Sequence, residues 1–540
     1  MRRPLTPRTA RPMHQVPIWI RCDSVDRAED PSAVSRLRDV PDPDHPPAFR
    51  HPAGLRTLFL TEMWERFSYY GNRSLLMLYM TDTAHGGLGM DVPLAAAIYG
   101  LFTAAVYLTS LPGGWCADRL LGARQTLIIG AWVIVAGNVC QMLPERTWFL
   151  LGLGLIAIGS GLLKPTASAM VGQLYPDGGY RRDAGFTLFY LGINLGAALG
   201  PLICSALAAQ GSWRWGFIPA GIGMLCGLIQ FRYTASRLGI VGERPPVDAV
   251  SAQAQPHTHE RSRRLLLGCV VVLLLIGAGA VTVATGALRL DVQAIAHAST
   301  TAIAVIAVAV IVGILVRGGL TVVERRRFLL VVVLMSCSVV FWAGFEQAGS
   351  SLTLFAEDHT DRRMTSSGTQ VPAGWFLSLN PVLILIVAPL ASALWMRLGR
   401  LGRNPSLPLK FALALGLLAV GFLIMRAAAV ERLASGQLVS PWWLIMTYCC
   451  FTLGELCLSP IGLSAITTLA PQRFASQMLG VWFLATALGN LVAGLLAGRV
   501  GGTHLAEMPS TLLVLALAAA LIAVILAAAA APLSRLASRP

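Results

Sequence analysis

The sequence has few charged residues for its length. Asp, Glu, Lys and Arg together make up 13% of its 540 residues, about half the share of ~25% in soluble domains. Hydrophobic residues make up 55% and the mean hydropathy is +0.64. Apolar stretches of about 20 residues therefore recur, each long enough to cross a bilayer. This composition excludes a soluble globular protein, a disordered chain, a coiled coil and a disulfide scaffold.

Lysine is almost missing, since only Lys164 and Lys410 of the 42 basic residues are lysines. The net charge of +15 lies mainly in polar loops between apolar runs. Membrane topology explains such a distribution, so we expect the chain to contact a lipid bilayer and no nucleic acid.

Motifs for metal binding and hydrolysis are also missing. The ten cysteines form no CxxC or CxxH pair, and neither HExxH nor GxSxG occurs. We therefore expect buried, unreactive thiols, no metal and no cofactor. A membrane-embedded enzyme is disfavoured because no nucleophile–base pair or metal-ligand cluster is recognisable.

The first 54 residues are polar and rich in Pro, Arg and Asp. They lack the apolar core of about 7–15 residues that a secretory signal peptide needs. We predict that residues 1–54 form a disordered cytoplasmic tail.

Fourteen apolar runs predict an all-α, polytopic membrane protein. The runs occupy 55–80, 93–116, 125–143, 148–171, 185–209, 215–231, 265–287, 293–316, 328–356, 372–396, 411–425, 441–470, 474–498 and 509–532. The predicted domains are a six-helix bundle over 55–231, a cytoplasmic linker over 232–264, an inserted two-helix hairpin over 265–316, a second six-helix bundle over 317–532 and a cytoplasmic tail over 533–540.

Basic residues concentrate in the loops on one side of this arrangement, for example at Arg119, Arg181, Arg263, Arg326, Arg400 and Arg473. Such loops remain in the cytoplasm. An even number of spans then predicts that both termini are cytoplasmic.

Ionisable residues within the apolar runs are few, and each costs at least ~2.5–3.5 kcal/mol to insert. They are Glu62, Glu65, Arg66 and Arg73 in the first run, Lys164 in the fourth, and Glu346 and Glu455 in the first and fourth runs of the second bundle. If the inserted pair is set aside, the charges fall on every third helix. Transporters built from repeats of three helices place such helices around one central cavity.

The first run carries its charges along one helical face. That face comprises Glu62, Arg66, Tyr69 and Arg73, with Glu65 and Tyr70 at its borders. It either forms a salt-bridged stripe that stabilises helix packing or lines a water-filled cavity. The depth of Arg73 in the run favours the cavity.

A carboxyl group in such a cavity is a candidate proton switch. Burial favours its neutral form and a neighbouring cation favours its charged form. Protonation of Glu65 or Glu346 can then release a basic partner. Lys164 can bind a substrate carboxylate and otherwise pair with Glu455, although a lysine that extends to the cytoplasmic face is the alternative interpretation.

The charges are also divided by sign between the two bundles. Arg66, Arg73 and Lys164 belong to the first, whereas Glu346 and Glu455 belong to the second. A ligand with one anionic and one cationic end can bridge them.

Further polar and aromatic residues are candidates for the same cavity. They are Asn194, Asn380, Ser459, Trp342, Trp482 and Phe483. Each is equally compatible with helix packing.

Seven short blocks occur in an order that resembles one known family. They are TEMWERFSYYG from Thr61, which contains ExxER, GGWCADRLLGAR from Gly113, GSGLLKP from Gly159, FYLGINLG from Phe189, FWAGFEQ from Phe341, SLNP from Ser378 and GELCLSPIGLS from Gly454. Over residues 55–532 the chain resembles the proton-dependent oligopeptide transporter (POT) family of the major facilitator superfamily.

The resemblance implies twelve core helices in two bundles plus two inserted helices, and uptake of di- and tripeptides coupled to protons. We further expect a monomer in a bacterial cytoplasmic membrane. The resemblance assigns proton coupling to Glu62, Glu65, Arg66 and Glu346, and peptide binding to Tyr69, Tyr70, Arg73, Tyr107, Lys164, Asn194, Asn380 and Glu455.

Two gates follow from the same resemblance. Arg73 with Glu346 would close the outer side, and Lys164 with Glu455 the inner side. Asp118 would act in conformational change. Thr166 departs from the family pattern, where Asn is usual after Lys-Pro.

Two other functions stay open. A proton/drug antiporter would need a more apolar pocket with fewer cations than the three found here. A sensor without transport would not need the coupling residues.

Overall fold

The computed structural model describes residues 51–176, 179–243, 291–363, 370–469, 474–500 and 505–537. This part of the chain is helical, and its extended pairing is limited to two isolated bridges, Thr360 with Val439 and Arg363 with Gln370. The predicted all-α class is confirmed.

The α-helices follow one another along the chain with short connections. They are α1 (Ala53–Thr81), α2 (Val92–Cys116), α3 (Ala123–Gln141), α4 (Arg146–Gln173), α5 (Gly179–Ala208), α6 (Trp213–Thr234), α7 (Val292–Arg317), α8 (Val322–Phe345), α9 (Ser351–His359), α10 (Leu379–Arg400), α11 (Leu407–Ser435), α12 (Trp442–Leu469), α13 (Ala475–Val500), α14 (Met508–Ala528) and α15 (Ala530–Ala537).

Thirteen of the fourteen predicted spans fall on one of these helices or on two consecutive ones. The remaining run, 265–287, lies outside the described residues. In the described part, eleven helical segments are long and apolar enough to cross a membrane. The chain is a multi-pass membrane protein. The first helix, α1, is not among the eleven because its charges interrupt the apolar sequence.

The helices form two halves that meet mainly along two helix pairs. In the first half α1 packs against α5 and α6, and α4 against α2 and α3; in the second half α11 packs against α12 and α14, and α8 against α13. The halves meet where α2 contacts α13 and where α5 contacts α10. The helix α7 lies outside both halves, against α2 and α13.

The span predicted at 328–356 is not one continuous helix. The helix α8 ends at Phe345, a 3-10 turn covers Glu346–Gly349, and α9 begins after Ser350, whose φ of −124° and ψ of −91° are not helical. Hydropathy did not reveal this break, since the residues on both sides are apolar. Glu346 therefore lies at a turn and not in the middle of a helix.

The segment after α6 is anchored to the start of α3. Arg124 Nε donates to the carbonyl of Val241 at 2.7 Å, and the Arg124 backbone N–H donates to that of Gly242 at 2.9 Å. The beginning of the predicted linker is thus held against the first half. The division into domains stays a prediction, because residues 1–50 and 244–290 lie outside the described part.

Glycines let α1 lie in the interior of the first half. A Cβ atom on Gly196 of α5 would lie 2.1 Å from the carbonyl oxygen of Met63 in α1, so only glycine fits there. Likewise, a Cβ on Gly100 of α2 would lie 2.9 Å from the Cα of Gly494 in α13. Close backbone approach of this kind is typical of membrane helix pairs.

We predict that Gly196→Leu lowers the thermal stability of the purified protein, because the added side chain must separate α5 from α1. Overpacking of this kind costs about 1–3 kcal/mol or more. The matched control is Gly154→Leu in α4, where an added Cβ meets no atom within 4 Å. Equal thermal unfolding midpoints for both variants in detergent would contradict the packing described.

Candidate functional site

The charged residues predicted to share a cavity come from four elements. Glu62, Glu65, Arg66 and Arg73 belong to α1, Lys164 to α4, Glu346 to the turn after α8, and Glu455 to α12. The α1 charges and Glu346 are all buried. Buried charges need partners, so the hydrogen bonds and ion pairs of each group are informative.

Arg66 is the centre of a three-residue cluster on α1. Its Nε donates to Glu62 Oε1 at 2.9 Å and lies 2.8 Å from Glu65 Oε2. The single hydrogen on Nε is directed at Glu62, so the contact with Glu65 is an ion pair without hydrogen-bond geometry. The Ser160 hydroxyl of α4 donates to the other Glu65 oxygen at 3.1 Å.

This cluster contains two carboxyl groups and one guanidinium group. Arg66 is only 4% exposed, and neither its Nη2 nor Glu62 Oε2 has a hydrogen-bond partner among the described residues. Within this group of three, full ionisation leaves one negative charge in excess in a low-dielectric site, which is costly. Lys164 also interacts electrostatically with Glu62 and Glu65, so either this cation or one bound proton would balance the charges of the group.

A second ion pair joins the two halves of the protein. Arg73 Nη2 donates to Glu346 Oε2, and Arg73 Nε donates to the Tyr99 hydroxyl oxygen at 2.6 Å. Arg73 is 8% exposed and Glu346 4%. The guanidinium carbon also lies 5.8 Å from the ring centroid of Tyr70 and 5.5 Å from that of Tyr99. The predicted outer pair is therefore formed in this structure.

The predicted inner pair is not formed. Lys164 Nζ lies 4.0 Å from the ring centroid of Tyr107 in a cation–π contact, and no ion pair joins it to Glu455 in the part of the chain described here. Glu455 Oε2 instead accepts a hydrogen bond of 2.9 Å from Asn380 Nδ2. Lys164 and Glu455 are thus available to other charged groups in this state.

The remaining polar candidates differ in their surroundings. Asn194 donates to the carbonyl of Tyr190 in its own helix at 2.9 Å. Trp342 Nε1 and Ser459 Oγ are buried without a hydrogen-bond partner among the described residues. Those two side chains keep free polar groups, whereas the Asn194 amide nitrogen is already engaged.

The aromatic candidates of α13 lie apart from the ion pairs. Trp482 is buried and its ring tip would lie 2.5 Å from a Cβ on Gly462 in α12, so it fills space between these helices. Phe483 is partly buried against the apolar core. Asp118 is exposed in the π-helical segment that ends α2. No hydrogen bond, ion pair or cation–π contact joins these three residues to the buried ion pairs in the described part.

Tyr99 and Ser160 contact the charges but were not predicted from the sequence. Tyr99, Thr103 and Tyr107 recur at four-residue intervals along α2, which places them on one helical face. Ser160 precedes Lys164 by four residues and shares its face of α4. This spacing would have identified both residues.

Two helical halves with ion pairs buried inside and between them define a secondary transporter of the major facilitator type. The model of the POT family matches residues 124–506. The chain belongs to the POT family, which is a family of transporters and not of enzymes.

Named relatives cover almost the whole chain. It is 37% identical to the peptide transporter YePEPT of Yersinia enterocolitica subsp. palearctica over 90% of this chain and 96% of the relative. It is 35% identical to a di-/tripeptide transporter of Lactococcus lactis subsp. cremoris, over 82% and 88%. A crystal structure of a mutant of peptide transporter POT with alafosfalin superimposes with a TM-score of 0.81 at 35% identity and covers 92% of this chain and 97% of that one.

We predict that Arg66→Met destabilises the protein by about 3–5 kcal/mol at pH 7.5, because it leaves two buried carboxylates without a counter-charge. The matched control is the double variant Glu62→Gln/Arg66→Met, which lowers the buried negative charge and should regain part of the stability. Wild-type stability of the single variant in urea unfolding would show that the cluster is not buried as described.

Proposed function

We propose that the chain is a proton-coupled symporter that takes up di- and tripeptides by alternating access. Curated relatives named as peptide and di-/tripeptide transporters support the substrate class. The observation that carries the proposal is the pairing pattern of the buried charges. One cross-half pair, Arg73 with Glu346, is closed, while Lys164 and Glu455 form no ion pair with each other among the described residues and are proposed as the groups that bind the ligand.

A peptide with free ends fits the two unpaired groups. At neutral pH it carries a carboxylate at one end and an ammonium group at the other. Lys164 is the proposed partner of the carboxylate and Glu455, positioned by Asn380, that of the ammonium group. Opposite charges on both ends would give the site its preference for zwitterionic ligands.

Several further residues are proposed to complete the pocket around the peptide. The tyrosines Tyr69, Tyr70 and Tyr107 lie beside the cations Arg66, Arg73 and Lys164. The free polar groups of Trp342 and Ser459 are candidates for the peptide backbone. We place Asn194, Trp482 and Phe483 at the edge of this pocket, and we assign Asp118 a role in conformational change.

The proposed proton sites are the Arg66 cluster, which includes Glu62 and Glu65, and Glu346. In the cluster a proton on one carboxyl group would release Arg66 from one of its two acidic partners. At Glu346 a proton neutralises the partner of Arg73, so the cross-half pair loses its Coulomb attraction. Proton arrival and opening of this pair are then linked, and by reciprocity a ligand that stabilises the open pair favours protonation.

We assign the state seen here to the inward-facing end of this cycle, on the proposed roles of the two pairs. The outer pair is closed by Arg73 and Glu346, and the inner pair of Lys164 and Glu455 is open. We further propose that both termini are cytoplasmic, that the membrane is the bacterial cytoplasmic membrane, and that the transporter works as a monomer.

We predict that Glu346→Gln abolishes accumulation of labelled dialanine above its external concentration, because the side chain no longer titrates. Peptide exchange across the membrane should persist, since it needs no net proton movement. Uptake into proteoliposomes with an inward proton gradient measures accumulation, and counterflow measures exchange. The control is Glu145→Gln, an exposed glutamate at the start of α4, and gradient-driven accumulation by the Glu346 variant would contradict the assignment.

Ligands that lack one charge test the two ends separately. Lys164→Gln should weaken dialanine binding about 30-fold or more, yet change little the weak binding of dialanine amide, which has no carboxylate. Glu455→Gln should likewise weaken dialanine binding, yet change little the weak binding of N-acetyl-dialanine, which has no ammonium group. Competition assays measure these affinities. Equal losses for all ligands would contradict the assigned orientation, and transport of a hydrophobic cation in place of dialanine would favour the antiporter.

A further inference from the structure

The helix α7 leaves a groove beside the second half of the protein. It touches the bundle at Ile303, which packs with Ala104 of α2 and Leu491 of α13. It approaches the bundle again at Gly318, where an added Cβ would lie 3.2 Å from the ring of Phe474. Between these two contacts lies a cavity of about 560 Å³, within the range of ligand pockets.

The walls of this groove are apolar and it is open at the side. Val310 and Ile314 of α7 face Leu111 of α2 and Val481 and Leu484 of α13 across the cavity. Leu111 is 40% exposed in the protein alone.

A glycine lies on either side of the groove, at Gly313 and Gly480. An added Cβ on Gly313 meets no atom within 4 Å, and one on Gly480 meets only Leu111 at 3.7 Å. The groove lies along membrane-spanning helices, and an unfilled apolar space forfeits dispersion contacts. A hydrocarbon chain satisfies those contacts.

One end of the groove is basic. Arg317, at the end of α7, lines the cavity together with Gln477. Arg325 and Arg326 follow in the first turns of α8. All three arginines are exposed, and within the described residues none of them forms an ion pair. Basic residues between membrane helices bind anionic lipid head groups, and Arg317 is the one that lines this groove.

We propose that this groove is a binding site for one anionic phospholipid of the phosphatidylglycerol type. An acyl chain lies between α7 and α13, and the phosphate is bound by Arg317 at the basic end. The lipid thereby joins the inserted helix to the moving halves of the transporter.

The test uses the purified full-length protein in a mild detergent. Phosphatidylglycerol or phosphatidylcholine with the same acyl chains is added, and native mass spectrometry measures the lipid bound. Wild type should bind phosphatidylglycerol more tightly. Arg317→Gln should weaken phosphatidylglycerol binding about fivefold, and phosphatidylcholine binding less, because the choline ammonium group already offsets the phosphate charge. The control is Arg400→Gln, an exposed arginine at the end of α10.

A second variant tests the acyl-chain site. Gly313→Leu fills the groove without changing charge and should reduce binding of both lipids. Gly416→Leu is its control, since an added Cβ there also meets no atom within 4 Å. If Gly313→Leu does not fold, Gly480→Leu fills the groove from the opposite wall.

Three outcomes would overturn the proposal. The first is equal affinity of wild type for the two lipids. The second is wild-type binding by both the Arg317 and the groove-filling variants. The third is a wild-type dimer that Gly313→Leu converts to a monomer, which would make the groove an interface between two copies of the chain.

Discussion

The structure depends on one constraint: a charge inside the membrane must be neutralised by another group. Arg66 contacts both Glu62 and Glu65, and Arg73 pairs with Glu346. The close glycine contacts that hold α1 in the interior and the broken helix at Glu346 bring these groups together. A buried pair contributes little net stability after desolvation, but its loss is costly, so each pair specifies one arrangement of helices.

The same constraint links charge to conformation. Arg73 and Glu346 lie on different halves, so their pair holds the halves together at one level of the cavity. At the other level Lys164 Nζ lies over the Tyr107 ring and Glu455 accepts a hydrogen bond from Asn380. No ion pair joins Lys164 to Glu455 among the residues that the structure describes. A proton or a charged ligand changes which charged groups are paired. The equilibrium between the outward-facing and inward-facing conformations then shifts.

Much of this could be predicted from the sequence because charges in apolar runs are rare and helical spacing is simple. The α1 charges lie on one helical face, and charges within apolar runs recur on every third helix. These two patterns predicted which residues form the site. Side-chain partners between helices could not be predicted, since Tyr99 and Ser160 are ordinary residues until packing brings them beside Arg73 and Glu65. The turn at Glu346 was missed because hydropathy does not distinguish one helix from two.

The most direct test of the account is uptake of labelled dialanine into proteoliposomes containing the wild-type protein, with and without an inward proton gradient and with a protonophore as control. The account predicts accumulation above the external concentration only with the gradient, and its collapse when the protonophore is added. Equilibration to the same level under all three conditions would show facilitated diffusion without proton coupling. No uptake at all would contradict the proposed substrate as well.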